Sequence, residues 1–272
     1  MDLQCYGPWA LIIGGSEGVG AECARQLAAD RFKIVLVARK VGPLEQLAEE
    51  LRADGTEVRT LSADISQADA VDRVRTVTDD IEIGLLFYNA GANNTRGNFV
   101  ELDSAVYRSV IGINVVGQAE FARHYGGLMK ARCHGGIILT GSMAGFMGSP
   151  SLAAYCGAKA FSRVFSEALW MECKPLGVDV LHYVVSFTAT PAMDRLGYDI
   201  TKAQPCEEVA RDALANIANG PIKLAGGENN IQIAIDRSVV KDRGEAIARV
   251  ATPSREAVSR PAAQDPTRNN RH

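Results

Sequence analysis

The chain predicts an α/β fold, a doubly wound parallel sheet with helices on both faces. Three observations predict it. Short apolar runs alternate with helical patterns along most of the 272 residues, a rhythm that builds parallel sheets through right-handed crossovers. The first run, Trp9–Ile13, leads straight into a glycine-rich turn and a helical stretch. Residues able to bind or react gather where the runs end, at Gly14–Gly20, Arg39, Asp64, Asn89–Gly91, Ser142 and Thr188–Thr190. In sheets of this class ligands bind outside the carboxyl ends of the strands.

The first turn places glycines at 14, 18 and 20, a spacing that lets backbone N–H groups approach a pyrophosphate at the positive end of the helix over Val19–Ala29. The second strand, Lys33–Val37, is followed by Arg39 and Lys40. An acid at that point holds a ribose 2′-hydroxyl, whereas a base accommodates a 2′-phosphate, so NADP(H) is favoured and NAD(H) is the lesser alternative. Two solvated cations at a strand end are the plain alternative. A helix over Pro43–Ala53 closes at Asp54-Gly55 and leads to a third strand, Glu57–Leu61. Asp64 after it either accepts from an adenine amino group or caps the next turn. Ser66, with Asp69 three residues on, fits the N-cap of a helix over Ala68–Thr78. The fourth strand, Ile83–Phe87, ends in Tyr88-Asn89-Ala90-Gly91, whose small residues permit close approach of a ligand.

A long amphipathic helix is expected over Ser104–Lys130, capped by Asp103 or Ser104, with Gly112 and Asn114 unusual in its middle. A mid-helix Asn either satisfies a neighbouring carbonyl or opens the helix. The fifth strand, Ile137–Leu139, ends near Ser142, and a helix follows over Leu152–Cys173. A sixth strand covers Asp179–Val185. Ser186–Pro205 reads as an irregular lid, Glu207–Asn219 as a helix and Ile231–Ile235 as a final strand. Residues 1–236 are expected to form a single domain and 237–272 a partly helical or disordered extension.

Tyr155 and Lys159 lie four residues apart on the helix after the fifth strand and project from one face. An ammonium beside a phenol favours the phenolate and lowers its pKa, which suits a proton donor and acceptor near neutral pH. Ser142 is placed to hydrogen-bond the same substrate oxygen. With seven Tyr and eight Lys in the chain, roughly 0.2 such pairs arise by chance. The strand ending in Ser ahead of the pair is what raises it above a solvated helix face.

Hydrophobic residues at 47% and charged residues at 22% suit a soluble globular chain, and a formal charge of -3 gives no electrostatic reason to expect nucleic acid or an anionic membrane as partner. Six scattered Cys and four dispersed His offer no metal-ligand spacing, so no metal is expected, and His124, His134 and His182 read as structural or solvated. No apolar stretch approaches a membrane span, and a reducing cytoplasm is the expected setting.

With these residues in place the chain resembles the short-chain dehydrogenase/reductase family over about residues 7–236. The resemblance rests on Gly14, Gly18 and Gly20, on Asn89-Ala90-Gly91, on Asn114, on Ser142, and on Tyr155 with Lys159. It implies a Rossmann fold and a nicotinamide-dependent oxidoreductase acting on a small-molecule carbonyl or alcohol. Tyr155 would be the acid/base, Ser142 would orient the substrate oxygen, and Lys159 would hold the nicotinamide ribose and tune the phenol. Asn114 would position a water leading to Lys159. The implied cofactor set is Gly14, Ser16, Glu17, Gly18, Val19, Gly20, Arg39, Lys40, Asp64, Ile65, Asn89, Ala90, Gly91, Tyr155, Lys159, Thr188 and Thr190. A homodimer or homotetramer through the two long helices is also implied. Three departures stand out: Ile13 where the family usually has Thr, Glu17 where one NADP-preferring subgroup has a base, and Val185-Ser186 in place of Pro-Gly.

The expected pocket wall is Met143–Leu152, Asn93, Phe187, Ala192, Met193, Leu196 and Tyr198, mostly apolar and without an Arg or Lys aimed at a substrate carboxylate. It suits a medium-sized apolar or cyclic ketone or alcohol. The alternatives are a non-catalytic nucleotide-binding sensor or scaffold on the same fold, an NAD(H)-dependent enzyme of the same family, and an epimerase or dehydratase acting on a nucleotide sugar.

Overall fold

The computed structural model describes residues 3–91 and 96–249. Seven parallel strands form one sheet in the order β3-β2-β1-β4-β5-β6-β7. They are β1 (Trp9–Ile13), β2 (Lys33–Ala38), β3 (Val58–Ser62), β4 (Ile83–Tyr88), β5 (Gly135–Ser142), β6 (Val178–Val185) and β7 (Ile222–Leu224). The helices are α1 (Gly18–Ala29), α2 (Val41–Ala53), α3 (Ala70–Arg75), α4 (Ser104–Ile111), α5 (Gln118–Arg132), α6 (Ala153–Cys173), α7 (Pro191–Arg195), α8 (Cys206–Ala215) and α9 (Gly227–Ser238).

The double winding is visible in β1, every residue of which is buried. Ala10 and Ile12 point into a core shared with Leu27 of α1, Leu44 of α2 and Val209 of α8. Trp9, Leu11 and Ile13 point the other way, towards Val74, Phe121, Tyr125 and Met129 of α3 and α5. Successive residues on a strand face opposite sides, so an unbroken apolar run is what a sheet covered on both faces requires. Strand order reverses direction between β1 and β4, and that switch point opens a crevice above the carboxyl ends.

Four sequence expectations are corrected. Ile231–Ile235 is not a strand but the middle of α9: its I-x-I-x-I alternation mimics a strand, yet only Ala234 of that helix is buried while Ile235 is 54% exposed. The seventh strand is Ile222–Leu224, an edge strand of three residues too short to carry a periodic signal. Ser66 does not cap α3, because its N–H and hydroxyl both turn back to Asp64 Oδ1 at 3.0 and 2.8 Å. The helix expected over Ala68–Thr78 accordingly runs only from Ala70 to Arg75 before unravelling into turns.

The long helix expected over Ser104–Lys130 is interrupted by a π-helical segment, Gly112–Gly117, between α4 and α5. A π turn leaves a carbonyl without its usual partner, and Tyr88 at the end of β4 donates its hydroxyl to Ile113 O at 2.6 Å. The segment expected as an irregular lid, 186–205, contains α7 and a single bridge, Thr188 to Gln204. A further helical stretch covers residues 243–249; of the extension read from the sequence, 250–272 lie outside the described residues, as does Asn93.

Candidate active site

At the switch point lies a cleft of about 270 Å³, floored by strand ends and walled by the turn after β1 and the segment after β6. The turn owes its shape to crowding. Gly14 sits at φ +84°, and a Cβ there would lie 2.8 Å from Ala90 N. Its N–H donates to Val37 O at 2.8 Å, and Asn89 Nδ2 donates to its carbonyl at 3.1 Å. These bonds brace the turn although Ile13 offers no hydroxyl. Gly20 does not line the cleft; a Cβ there would lie 2.2 Å from Gly14 O, so its part is to let α1 pack against the turn.

Of the expected cofactor residues, Gly14, Ser16, Glu17, Gly18, Val19, Arg39, Lys40, Ile65, Asn89, Ala90, Gly91, Tyr155, Lys159, Thr188 and Thr190 line the cleft. Asp64 does not. Burial opposes its ionisation, but the Ser66 N–H and hydroxyl, together with the nearby Arg39 charge, hold its carboxyl below the usual range. It is the turn cap that the sequence left as one of its two roles. Glu17 is an anchor for cations: Arg195 of α7 donates Nη1–H to its Oε2 at 2.9 Å and Nη2–H to its Oε1, and Lys40 Nζ lies 3.4 Å from Oε1.

The reactive end is built by three elements. Lys159 on α6 is 3% exposed and donates to Thr140 O of β5 at 2.9 Å. Burial pushes its ammonium down to about 8. Its Nζ lies 5.8 Å from the centroid of the Tyr155 ring. The Tyr155 phenol is raised, by burial first and against the lowering effect of a hydrogen bond with Ser142. The sequence led one to expect a phenol lowered by Lys159; burial raises it instead, and the Lys159 ammonium donates to the Thr140 carbonyl. Ser142 Oγ also accepts from Ala144 N at 3.2 Å, which fixes its direction at the end of β5.

Asn114 supplies a cradle. From the π segment its Nδ2 donates back to Val110 O of α4 at 3.0 Å, while Oδ1 is buried without a partner. Gly91, at φ +129°, leaves the space in front of that oxygen: a Cβ there would lie 2.2 Å from Asn114 Oδ1 and 3.3 Å from Lys159 Nζ. A buried orphan acceptor facing a buried ammonium is costly unless a polar group enters between them. The glycine turn, the small residues at 89–91 and this cradle fit a dinucleotide whose reactive ring reaches Tyr155.

A family model described as short chain dehydrogenase matches residues 8–217. The chain belongs to the short chain dehydrogenase family. The 7beta-hydroxysteroid dehydrogenase of Clostridium sardiniense is 29% identical over 250 residues, 90% of this chain and 95% of that one. The very-long-chain 3-oxoacyl-CoA reductase of Neurospora crassa is 38% identical over 195 residues, 70% of this chain and 58% of that one. Among solved structures, a short-chain dehydrogenase from Sphingobium yanoikuyae in complex with NADPH superposes with a TM-score of 0.75 at 26% identity, covering 95% of this chain and 99% of that one. The short-chain dehydrogenase fold is thus shared over nearly the whole described chain.

Sequence reasoning missed several members of this site. Val37, Ala38, Ala63, Thr140 and Gly141 line the cleft at or just past strand ends, and Ile113 lines it from the π segment. Thr140 acts through its carbonyl, which no side-chain pattern announces. Of the expected pocket wall, Phe187, Ala192 and Met193 line the cleft. Leu196 and Tyr198 do not, and Met143 turns away to pack with Val184 and Ala234. Ser151 and Leu152 border a small hollow with Val106 and Val110 of α4, next to Tyr155. No helix among the described residues is long and apolar enough to cross a membrane.

Proposed function

We propose that this short-chain dehydrogenase is an NADP(H)-dependent oxidoreductase that interconverts a ketone and a secondary alcohol on a medium-sized, mostly apolar substrate. The observation that carries the reading is the meeting of the Tyr155 phenol, Ser142, buried Lys159 and the orphan Asn114 Oδ1 at one end of a cleft whose other end carries Arg39. The cofactor supplies the hydride. Tyr155 Oη gives its proton to the carbonyl oxygen during reduction and takes one back from the alcohol during oxidation. The raised phenol keeps that proton in place at neutral pH, the state reduction needs. Ser142 Oγ shares the substrate oxygen with Tyr155 and fixes its approach. Lys159 and the Asn114 carbonyl oxygen form the route by which the phenol is recharged.

Arg39 stands exposed at the end of β2 and suits a 2′-phosphate. Glu17 leaves this selection to Arg39, since its charge is already shared by Lys40 and Arg195. The relatives that act on a hydroxysteroid and on a 3-oxoacyl-CoA support an extended apolar substrate. A homodimer or homotetramer is part of the same proposal: Leu128 of α5 and Phe161, Val164 and Met171 of α6 are exposed apolar residues on the two long helices.

The test is a fluorescence titration with NADPH and NADH, run beside Arg39→Ala. NADPH is expected to bind at least tenfold more tightly than NADH, and the variant to lose most of that difference. A panel of oxosteroids and 3-oxoacyl thioesters then identifies the ketone. Binding of NADPH without turnover of any ketone, and without any effect of Tyr155→Phe, would establish a nucleotide-binding scaffold instead.

A further inference from the structure

We infer that Arg96 is an anion-binding subsite at the substrate end of the cleft, so that the substrate pairs an apolar body bearing the reactive oxygen with an anionic group at its far end. This rests on the oxidoreductase reading above and adds the chemical class of the substrate.

Arg96 follows β4 in the chain, and its neighbour Gly97 is tied to the turn just ahead of the catalytic helix: Gly97 N–H donates to Ser151 O at 3.2 Å, four residues before Tyr155. On its other side, Arg96 Nη2–H donates to the hydroxyl of Tyr198, and the guanidinium carbon lies 5.5 Å from the centroid of that ring. Tyr198 in turn meets Phe187 edge-on, with centroids 6.0 Å apart. Phe187 lines the cleft and is 41% exposed. A chain of contacts thus runs from Phe187 in the cleft wall, through the Tyr198 ring, to a guanidinium just outside the cleft lining.

Among the described residues Arg96 is exposed and has no carboxylate partner. One N–H is spent on Tyr198, which leaves most of its five-donor fork for an external acceptor. The contact with Tyr198 removes much of the rotamer freedom that an exposed arginine loses on binding, so the anion meets a preorganised fork. A cation so placed in a chain of net charge -3 also steers anions to the mouth. The carboxylate of an oxosteroid acid and the phosphates of an acyl-CoA present the same chemistry to it.

The test is calorimetric titration of the protein–NADP⁺ complex with an oxosteroid carboxylic acid and its methyl ester, and with a 3-oxoacyl-CoA beside the corresponding 3-oxoacyl-pantetheine, which lacks the phosphates. The wild type is expected to bind at least one anionic compound about fivefold more tightly than its uncharged partner. Arg96→Gln should abolish that preference without weakening the uncharged compound or NADP⁺, Arg96→Lys should retain part of it, and added salt should shrink it. Which pair shows the preference identifies carboxylate or phosphate as the anion. Equal binding of charged and uncharged members by the wild type would overturn the proposal. So would Arg96→Gln weakening both members alike, the mark of a side chain that only props Tyr198. Turnover is read separately on the same compounds. Selective binding without reduction defeats the oxidoreductase reading alone, whereas reduction without selectivity defeats the subsite alone.

Discussion

The two halves of the cleft are built by different means. The half shaped by the glycine turn is held by the main chain: Gly14 N bonds to Val37 O, and Asn89 N to Ile13 O, both at 2.8 Å. The half beyond Tyr155 is held by side chains that reach across long stretches of sequence. Arg163 covers the Phe146 ring at 5.0 Å, Arg243 donates to Phe146 O at 3.1 Å, and Arg96 reaches Tyr198. Backbone bonds between neighbouring strand ends cannot be changed by swapping one side chain. Long side-chain reaches can, so the first half suits a group common to a large family and the second a substrate particular to one member.

The sharpest way to divide the halves is at their boundary. Tyr155→Phe keeps the ring and its packing but removes the transferable proton. We expect a loss of about 10²–10⁴-fold in kcat, with NADPH affinity unchanged within about twofold, because the turn and the strand ends are untouched. Single-turnover kinetics and cofactor fluorescence measure the two quantities on one sample. A parallel collapse of cofactor binding would show that the phenol belongs to both halves and would break the comparison.

The same division explains what could be read from the sequence. The glycine turn, Asn89–Gly91, Asn114 and the Tyr155–Lys159 pair were legible because each depends on local spacing at the end of one element. The sheet was legible because strands buried on both faces are continuous apolar runs. Asp64 was only half legible: the carboxylate at a strand end was visible, but its engagement by Ser66, two residues on, was not. The raised Tyr155 phenol was missed because desolvation depends on everything packed around the ring, not on the lysine four residues away. Arg195 and Arg96 were invisible as members of the site, since their partners lie 178 and 102 residues away. The strand misread at Ile231–Ile235 has the same origin. Alternation in five residues fits either period, and only the edge β7 and the burial of Ala234 decide for a helix.

A second way to sharpen the comparison is acid. His182 of β6 is buried beneath the substrate half, with Nδ1 3.2 Å from Ser166 Oγ of α6. Its Nε2 would lie 2.2 Å from a Cβ at Gly141. Burial, with the Lys159 and Arg163 charges, pushes it from 6.5 down to about 3. Between those values the unfolded chain binds a proton that the native state refuses. Stability should therefore fall as pH drops from about 6.5 towards 3, by up to a few kcal/mol. Denaturant melts between pH 7 and 4 should show this slope, and His182→Gln should flatten it whatever its offset at pH 7. Hydrogen exchange at pH 5 should loosen β5 and β6 before β1 and β2. Equal loosening of all four strands would mean that the halves share one cooperative unit.

The smallest expected effect tests the longest side-chain reach into the backbone-built half. Arg195 of α7 and Lys40 share the Glu17 carboxylate, and with Arg195 half exposed the pair adds under about 1 kcal/mol to stability. Its kinetic role is larger in kind, because it ties the segment after β6 to the glycine turn across the cleft. Arg195→Ala should barely move the melting temperature, yet speed NADPH release about two- to fivefold while leaving the single-turnover rate unchanged. Glu17→Gln should speed release less, because it also removes a negative charge facing the phosphates. If Arg195→Ala leaves release unchanged, the segment is held instead by the packing of Thr190 on the turn, where a Cβ at Gly18 would lie 3.2 Å from Thr190 Cγ2. The long side-chain reach left to the cofactor half would then be Asn89 Nδ2 to Gly14 O, inside the turn itself, and the contrast between the halves would be sharper.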